Sequence, residues 1–209
     1  MRVPNGEPLR VVVLASGSGT LLQAMLDAQS GFAPESGRWQ ITAVGSDRRS
    51  CLALDRAVNA GIRTFSVVLD EFPDRDSWDT ALALQCDGAD LIVSAGFMKL
   101  VGEPFLTAHE GRMINSHPSL LPAFPGMHAA ADALDYGVKL TGCTIFVVDA
   151  GVDAGPIVAQ QAVPVWAADT ADTLHERIKV AERTLLVSVV TMMAEHGWRL
   201  AGRKVLLND

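Results

Sequence analysis

The sequence predicts an α/β fold: a Rossmann-like, mostly parallel sheet with flanking helices, becoming mixed toward the C-terminal half. Three observations lead there. Apolar, β-branched runs alternate with segments of helical periodicity over most of the chain, the pattern of a sheet built with right-handed crossovers. The first run, Arg10-Val-Val-Val-Leu-Ala15, is apolar after its first residue, as a strand buried on both faces must be. Near Met113, Thr141 and Ile157 the strands follow one another with less helix between them. The 209 residues, 49% of them hydrophobic, suit a single domain over 1–209.

The elements follow in order. After the strand at Arg10–Ala15, Ser16-Gly-Ser-Gly-Thr20 makes a turn, and Leu21, Leu22, Met25 and Leu26 recur at helical spacing until Ser30-Gly31. Ile41–Val44 is a second strand. A helix over Leu52–Ala60 stops at Gly61, a good residue just past a helix end. Ile62–Leu69 reads as a strand, Asp76–Cys86 as a helix and Asp90–Ala95 as another buried strand. Pro104 in the first turn opens a short helix at Glu103. Met113–His117 is extended, because Pro118 disfavours helix at the residue before it. A proline-rich loop leads to a helix over His128–Tyr136, ended by Gly137. Thr141–Val148 and Ile157–Val163 are strands joined by a Gly-rich turn. The last helix starts at Asp169 or Thr170, carries the stripe Leu174, Ile178, Ala181, Leu185, Val189 and Met192, and ends at Gly197.

Composition excludes several functions. Lys plus Arg is 17 and Asp plus Glu is 24, a net charge of −7, which argues against general nucleic-acid binding but permits a local phosphate site. Cys51, Cys86 and Cys143 form no CxxC pair, so neither zinc nor a disulfide framework is expected, and a reducing cytoplasm fits. The polar start from Met1 to Pro8 has no signal-peptide pattern, and no apolar run is long enough for a membrane helix.

Three constellations can carry chemistry. The turn Gly17-Ser-Gly-Thr20, between a strand and a helix, is either a phosphate site on helix N–H groups or a tight turn that binds nothing. It fails the dinucleotide pattern, because the third glycine position is Leu22. Asn115 and His117 lie two apart at the end of a strand and so project together, an amide and an imidazole suited to a developing oxyanion and a proton transfer. Asp149-Ala-Gly-Val-Asp153-Ala-Gly-Pro156 reads as a hairpin turn or as a loop bringing a carboxylate to a site, with Asp149 and Asp153 equally eligible. Asp47 reads as a solvated loop carboxylate, and Lys179 with Glu182 as ordinary surface charges. His109, His128, His175 and His196 show no metal spacing and read as surface or capping residues. The four tryptophans read as packing.

Ala15-Ser-Gly-Ser-Gly-Thr, Ala95-Gly-Phe-Met-Lys99, Asn115-Ser-His-Pro-Ser-Leu-Leu-Pro122 and Asp153-Ala-Gly-Pro156 occur together, in this order. In these segments the chain resembles the phosphoribosylglycinamide formyltransferase family of folate-dependent formyltransferases, from about Arg10 to the last helix. The resemblance implies transfer of the formyl group of 10-formyltetrahydrofolate, a cosubstrate, to the amine of glycinamide ribonucleotide in purine biosynthesis, without a metal. It assigns catalysis to Asn115, His117 and Asp153, with the substrate phosphate on the backbone of Gly19, Thr20 and Leu21 and glycinamide ribonucleotide touching Glu182. It assigns folate contacts to Arg75, to Met98, Lys99, Leu100 and Val101, and to Asn115. It further implies a cytoplasmic monomer or homodimer that binds these small molecules and meets neither nucleic acid nor membrane. Leu21 stands where the family often has Asn, and Ala130 and Phe146 where it often has His.

Three rivals compete. Formyltetrahydrofolate hydrolase is related but carries an N-terminal regulatory domain, for which a first strand at Arg10 leaves no room, and tends to have His where this chain has Pro118. Methionyl-tRNA formyltransferase adds a C-terminal domain and meets RNA. A non-catalytic nucleotide-binding or scaffold protein would need neither Asn115 nor His117.

Overall fold

The computed structural model describes residues 7–31 and 39–208, so the polar start up to residue 6 lies outside the described residues. In chain order the elements are β1 (Leu9–Leu14), α1 (Thr20–Ser30), β2 (Trp39–Ser46), α2 (Leu52–Asn59), β3 (Arg63–Ser66), α3 (Arg75–Gln85), β4 (Leu91–Ser94) and α4 (Glu103–Ala108). They continue with β5 (Met113–His117), α5 (Ala129–Tyr136), β6 (Leu140–Val147), β7 (Ile157–Pro164), α6 (Ala171–His196), β8 (Trp198–Ala201) and β9 (Lys204–Leu207).

The strands form one nine-stranded sheet in the order β3-β2-β1-β4-β5-β6-β7-β9-β8. From β3 to β5 every pairing is parallel. β6 runs antiparallel to β5 and to β7, so the sheet does become mixed after Met113.

β1 shows why its sequence is uniformly apolar. Val11 and Val13 face a core with Leu22, Met25, Ala57, Leu186, Val190 and Met193. Val12 and Leu14 face a second core with Trp78, Leu82 and Phe105. α1, α2 and α6 therefore cover one face of the sheet, and α3 and α4 cover the other. A smaller cluster joins Ala130, Cys143 and Val163 to Leu174, Ile178 and Ala181 at the start of α6.

The structure revises several expectations. The third strand is only Arg63–Ser66, and the chain then turns through a short 3₁₀ segment, Leu69–Glu71. In the second half of α6 Leu186, Val189, Val190, Met193 and Ala194 are buried, so Val189 lies inside as expected, while Leu185 and Met192 are only half-buried. After Gly197 the chain continues into the β8–β9 hairpin, whose β9 joins the sheet beside β7 at Ile157↔Lys204. Trp39, Trp78 and Trp198 are packed inside, but Trp166 is exposed and covers the Arg177 guanidinium at 3.4 Å from its ring centroid. His109 is buried rather than on the surface: its Nε2 lies 3.0 Å from the Ala83 carbonyl and its ring packs on Phe105.

Candidate functional site

Parallel register brings the candidate residues together. Gly45, Leu14, Ser94 and Asn115 are aligned neighbours across β2, β1, β4 and β5. Two residues further along each chain come Asp47, Ser16, Gly96 and His117. The Gly17–Thr20 turn, the Met98 segment and the Asn-x-His pair thus leave adjacent strands at their C-terminal ends, where open α/β sheets bind ligands.

His117 is 4% exposed. Its Nδ1 lies 3.3 Å from Asp153 Oδ2, and its Nε2 lies 2.8 Å from the Phe124 carbonyl oxygen. Both neighbours are acceptor oxygens, so each ring nitrogen faces a group to which its N–H can donate. Asp153 Oδ2 also accepts a hydrogen bond from the Gly126 N–H at 2.8 Å. The other acid of that turn is turned elsewhere: Asp149 Oδ1 accepts from the Gly151 N–H at 2.9 Å. The choice left open between the two acids is thereby settled as to which one contacts His117. Asn115 is half-buried, and its side chain makes no hydrogen bond with the described residues.

The Gly17–Thr20 turn has the form of an anion site. Gly19 is the N-cap of α1 at φ 68 and supplies no side-chain cap, so the N–H groups of the first turn are not claimed by one. A Cβ on Gly19 would come within 2.8 Å of the Ala53 backbone. Leu21 packs against the core next to it, which removes any side-chain contact an Asn there could offer.

On the other face, Met98 and Leu100 are exposed, with Lys99 and Val101 half-buried. This segment is pinned at both ends: Met98 N–H donates to Ser16 Oγ at 2.8 Å and Gly102 N–H donates to Asp79 Oδ1 at 2.9 Å. Arg75 donates to the Leu100 carbonyl, lies 3.5 Å from Asp79 Oδ2, and covers Trp78. Asp79 is fully buried, and desolvation holds its carboxyl above the usual range against the opposing pull of Gly102 N–H and Arg75.

Two acids depart from their expected settings. Glu182 is buried and accepts a hydrogen bond from Ser116 Oγ at 2.6 Å, while Lys179 pairs with Glu176 at 2.7 Å. The surface-pair reading of Lys179 and Glu182 is therefore wrong. Ser116, between Asn115 and His117, alternates to the Ile114 side of β5, which is the face that α6 covers. Asp47 is buried and accepts a 2.5 Å hydrogen bond from Ser16 Oγ, so it is no solvated loop carboxylate. Sequence reasoning missed Ser16, Asp79 and Ser116 as site residues; the signals were a serine directly after an apolar strand, an acid on the buried face of α3 and the serine between Asn115 and His117.

Asn115 and His117 thus end β5, beside the strand ends of β4 and β1 that lead into the Met98–Val101 segment and the Gly17–Thr20 turn, with α1 and α6 on one face of the sheet and α3, which carries Arg75, on the other. Among the described residues no group of His, Cys, Asp and Glu is arranged to hold a metal ion. A groove of about 630 Å³ between α1 and α6 lies away from the His117–Asp153 pair, lined by Gln23, Asp27, Arg56, Arg183 and Ser188.

A sequence profile of the formyl transferase family matches residues 9–190, and the chain belongs to that family. Phosphoribosylglycinamide formyltransferase of Mycobacterium tuberculosis is 52% identical over 205 residues, which are 97% of this chain and 93% of that protein. The human trifunctional purine biosynthetic protein adenosine-3 is 41% identical over 187 residues, 88% of this chain but 18% of that protein. The crystal structure of glycinamide ribonucleotide transformylase 1 from Symbiobacterium toebii superposes with a TM-score of 0.91 at 42% identity, covering 98% of this chain and 100% of that one.

Proposed function

We propose that this chain transfers the formyl group of 10-formyltetrahydrofolate to the amine of glycinamide ribonucleotide, in purine biosynthesis. One observation carries the reading. The His117–Asp153 pair and the open Asn115 amide sit at the end of β5, beside the parallel strand ends that lead into the exposed Met98–Leu100 segment and into the uncapped N-terminus of α1. That arrangement suits two substrates meeting between their subsites. The phosphate of glycinamide ribonucleotide lies on the backbone of Gly19, Thr20 and Leu21, with Glu182 near the rest of that substrate. The pterin lies along Met98, Lys99, Leu100 and Val101, with Arg75 toward the remainder of the folate.

The substrate amine attacks the formyl carbon, and negative charge gathers on the formyl oxygen. Asn115 donates to that oxygen, as does His117 from Nε2 once the Phe124 carbonyl gives up its place. Asp153 fixes the ring through Nδ1. A proton passes from the attacking amine to the folate nitrogen as the carbon–nitrogen bond to folate breaks, by way of water beside Asp153. No step calls for a metal. The chain acts in the cytoplasm as a monomer or homodimer, and its free thiols suit that compartment. No helix among the described residues is long and apolar enough to cross a membrane.

The test is to incubate the protein with 10-formyltetrahydrofolate, with and without glycinamide ribonucleotide, and to follow the formyl group. The reading expects formylglycinamide ribonucleotide and little free formate. Rapid formate release without the amine identifies a hydrolase, and binding without turnover identifies a non-catalytic protein.

A further inference from the structure

We propose that Ser16, oriented by Asp47, is a positioning residue shared by both substrate subsites. It rests on the functional reading above. Ser16 is 1% exposed, at the point where β1 runs into the phosphate turn. Its N–H donates to the Gly96 carbonyl at 3.1 Å, its Oγ accepts from the Met98 N–H at 2.8 Å, and the same Oγ donates to Asp47 Oδ1 at 2.5 Å. A hydroxyl has one proton and two lone pairs. Asp47 takes the proton, which fixes the rotor and leaves a lone pair for Met98.

One side chain therefore ties together the ends of β2, β1 and β4. The next residue extends the tie, because the Gly17 carbonyl accepts from the Ala53 N–H at 3.0 Å, the residue against which Gly19 is packed. The phosphate turn is held from Ser16 and Gly17 on one side. The folate-facing segment is held by Ser16 at Met98 and by Asp79 at Gly102. Asp79 touches the second segment alone; Ser16 is common to both. Loss of its hydroxyl leaves the Met98 N–H and the buried Asp47 carboxylate without this partner, and both surfaces loosen together.

The experiment is steady-state kinetics of the full chain, varying each substrate, with rates normalised to the folded fraction. A structural defect lowers the folded fraction and leaves the remaining enzyme's KM values unchanged. Ser16→Ala should raise both KM values about fivefold, the size of one lost hydrogen bond, with kcat within about twofold. Asp79→Ala should raise the folate KM alone. Should Ser16→Ala fold poorly, the Asp47 pair gives the same readout: Asp47→Ala should behave as Ser16→Ala, and Asp47→Asn, which still offers an acceptor oxygen, should restore both KM values. A Ser16→Ala enzyme with neither or just one KM changed overturns the proposal, as does an Asp47→Ala enzyme with wild-type values. If the wild-type protein does not formylate glycinamide ribonucleotide, the functional reading itself falls and this proposal with it. If it does, a negative result counts against Ser16 alone.

Discussion

Asp153 occupies φ 50, in the left-handed region that Asp tolerates better than most residues. Its carboxylate is held there by His117 and the Gly126 N–H. Asp153→Asn should keep the fold and both KM values and cut kcat by ~10²–10⁴, the usual contribution of a proton-transfer group. Asp149→Asn, on the same turn but bonded to Gly151, should retain kcat within about twofold; the opposite order of damage would show that the wrong acid has been chosen. Gly19→Val meets both a positive φ and the Ala53 backbone. It should raise the KM for glycinamide ribonucleotide at least about tenfold and spare folate affinity, measured by titrating each ligand separately. At this scale the sequence was legible where chemistry is local. Asn115-x-His117 sits on one strand, and its alternation alone put the two side chains together. Asp47 and Glu182 were misread because their partners, Ser16 and Ser116, are 31 and 66 residues away. Nothing in the local pattern shows that a carboxylate will be met inside the fold.

The helices illustrate a second kind of legibility. α6 begins at the N-cap Thr170 with a reciprocal capping box to Thr173, as Asp169-Thr170 foretold. Its apolar stripe was read correctly at Leu174, Ile178, Ala181 and Val189 and slipped by one residue at Leu185 and Met192. The helix passes from the small cluster around Leu174 and Ile178 to the main core around Leu186 and Met193. Leu185-Leu186 and Met192-Met193 offer apolar side chains at both registers, so periodicity has nothing with which to choose. The start of α6 makes a pH prediction. Hydrogen bonds from the Arg177 guanidinium, with those from Trp166 N–H and the Thr173 hydroxyl, hold the Asp169 carboxyl far below its usual range. A depressed folded pKa gives stability that is complete above the unfolded value, about 3.9, and is lost as pH falls toward the folded one. The Tm difference between wild type and Asp169→Asn should therefore be full at neutral pH and shrink below about pH 4, as read by thermal melts across an acid series. A Tm gap that persists unchanged to lower pH would count against the ion pair. Gly155 makes a further point about the turn after β6. A Cβ there would lie 1.8 Å from the Val147 carbonyl oxygen, so Gly155→Ala should displace Asp153 and reduce kcat even though no reacting group is removed.

The sheet as a whole was foreseen in class and in its change from parallel to mixed, because each long strand announces itself by apolar continuity. The C-terminal hairpin was not. β8 and β9 are four residues each, with only Trp198 fully buried, and are linked by Gly202-Arg203, so they carry little pattern of their own. Trp198 nevertheless anchors the hairpin: it is 2% exposed and its Nε1 donates to the Gly111 carbonyl at 2.9 Å. Trp198→Ala should cost ~3–5 kcal/mol, which in a chain of this size lowers Tm by about 6–20 °C; a smaller drop in differential scanning calorimetry would mean that the hairpin is not part of the cooperative unit. The strand order has a consequence for biosynthesis. β1 is made before both of its neighbours, β2 and β4, and Arg10 is separated by 80 residues from Asp90, which it meets across the β4 side. At roughly 5–20 residues per second, a ribosome needs about 4–16 s to supply the second neighbour. Throughout that interval this largely apolar strand has one edge open, so the nascent chain is adhesive while that part of its own sheet is still being translated.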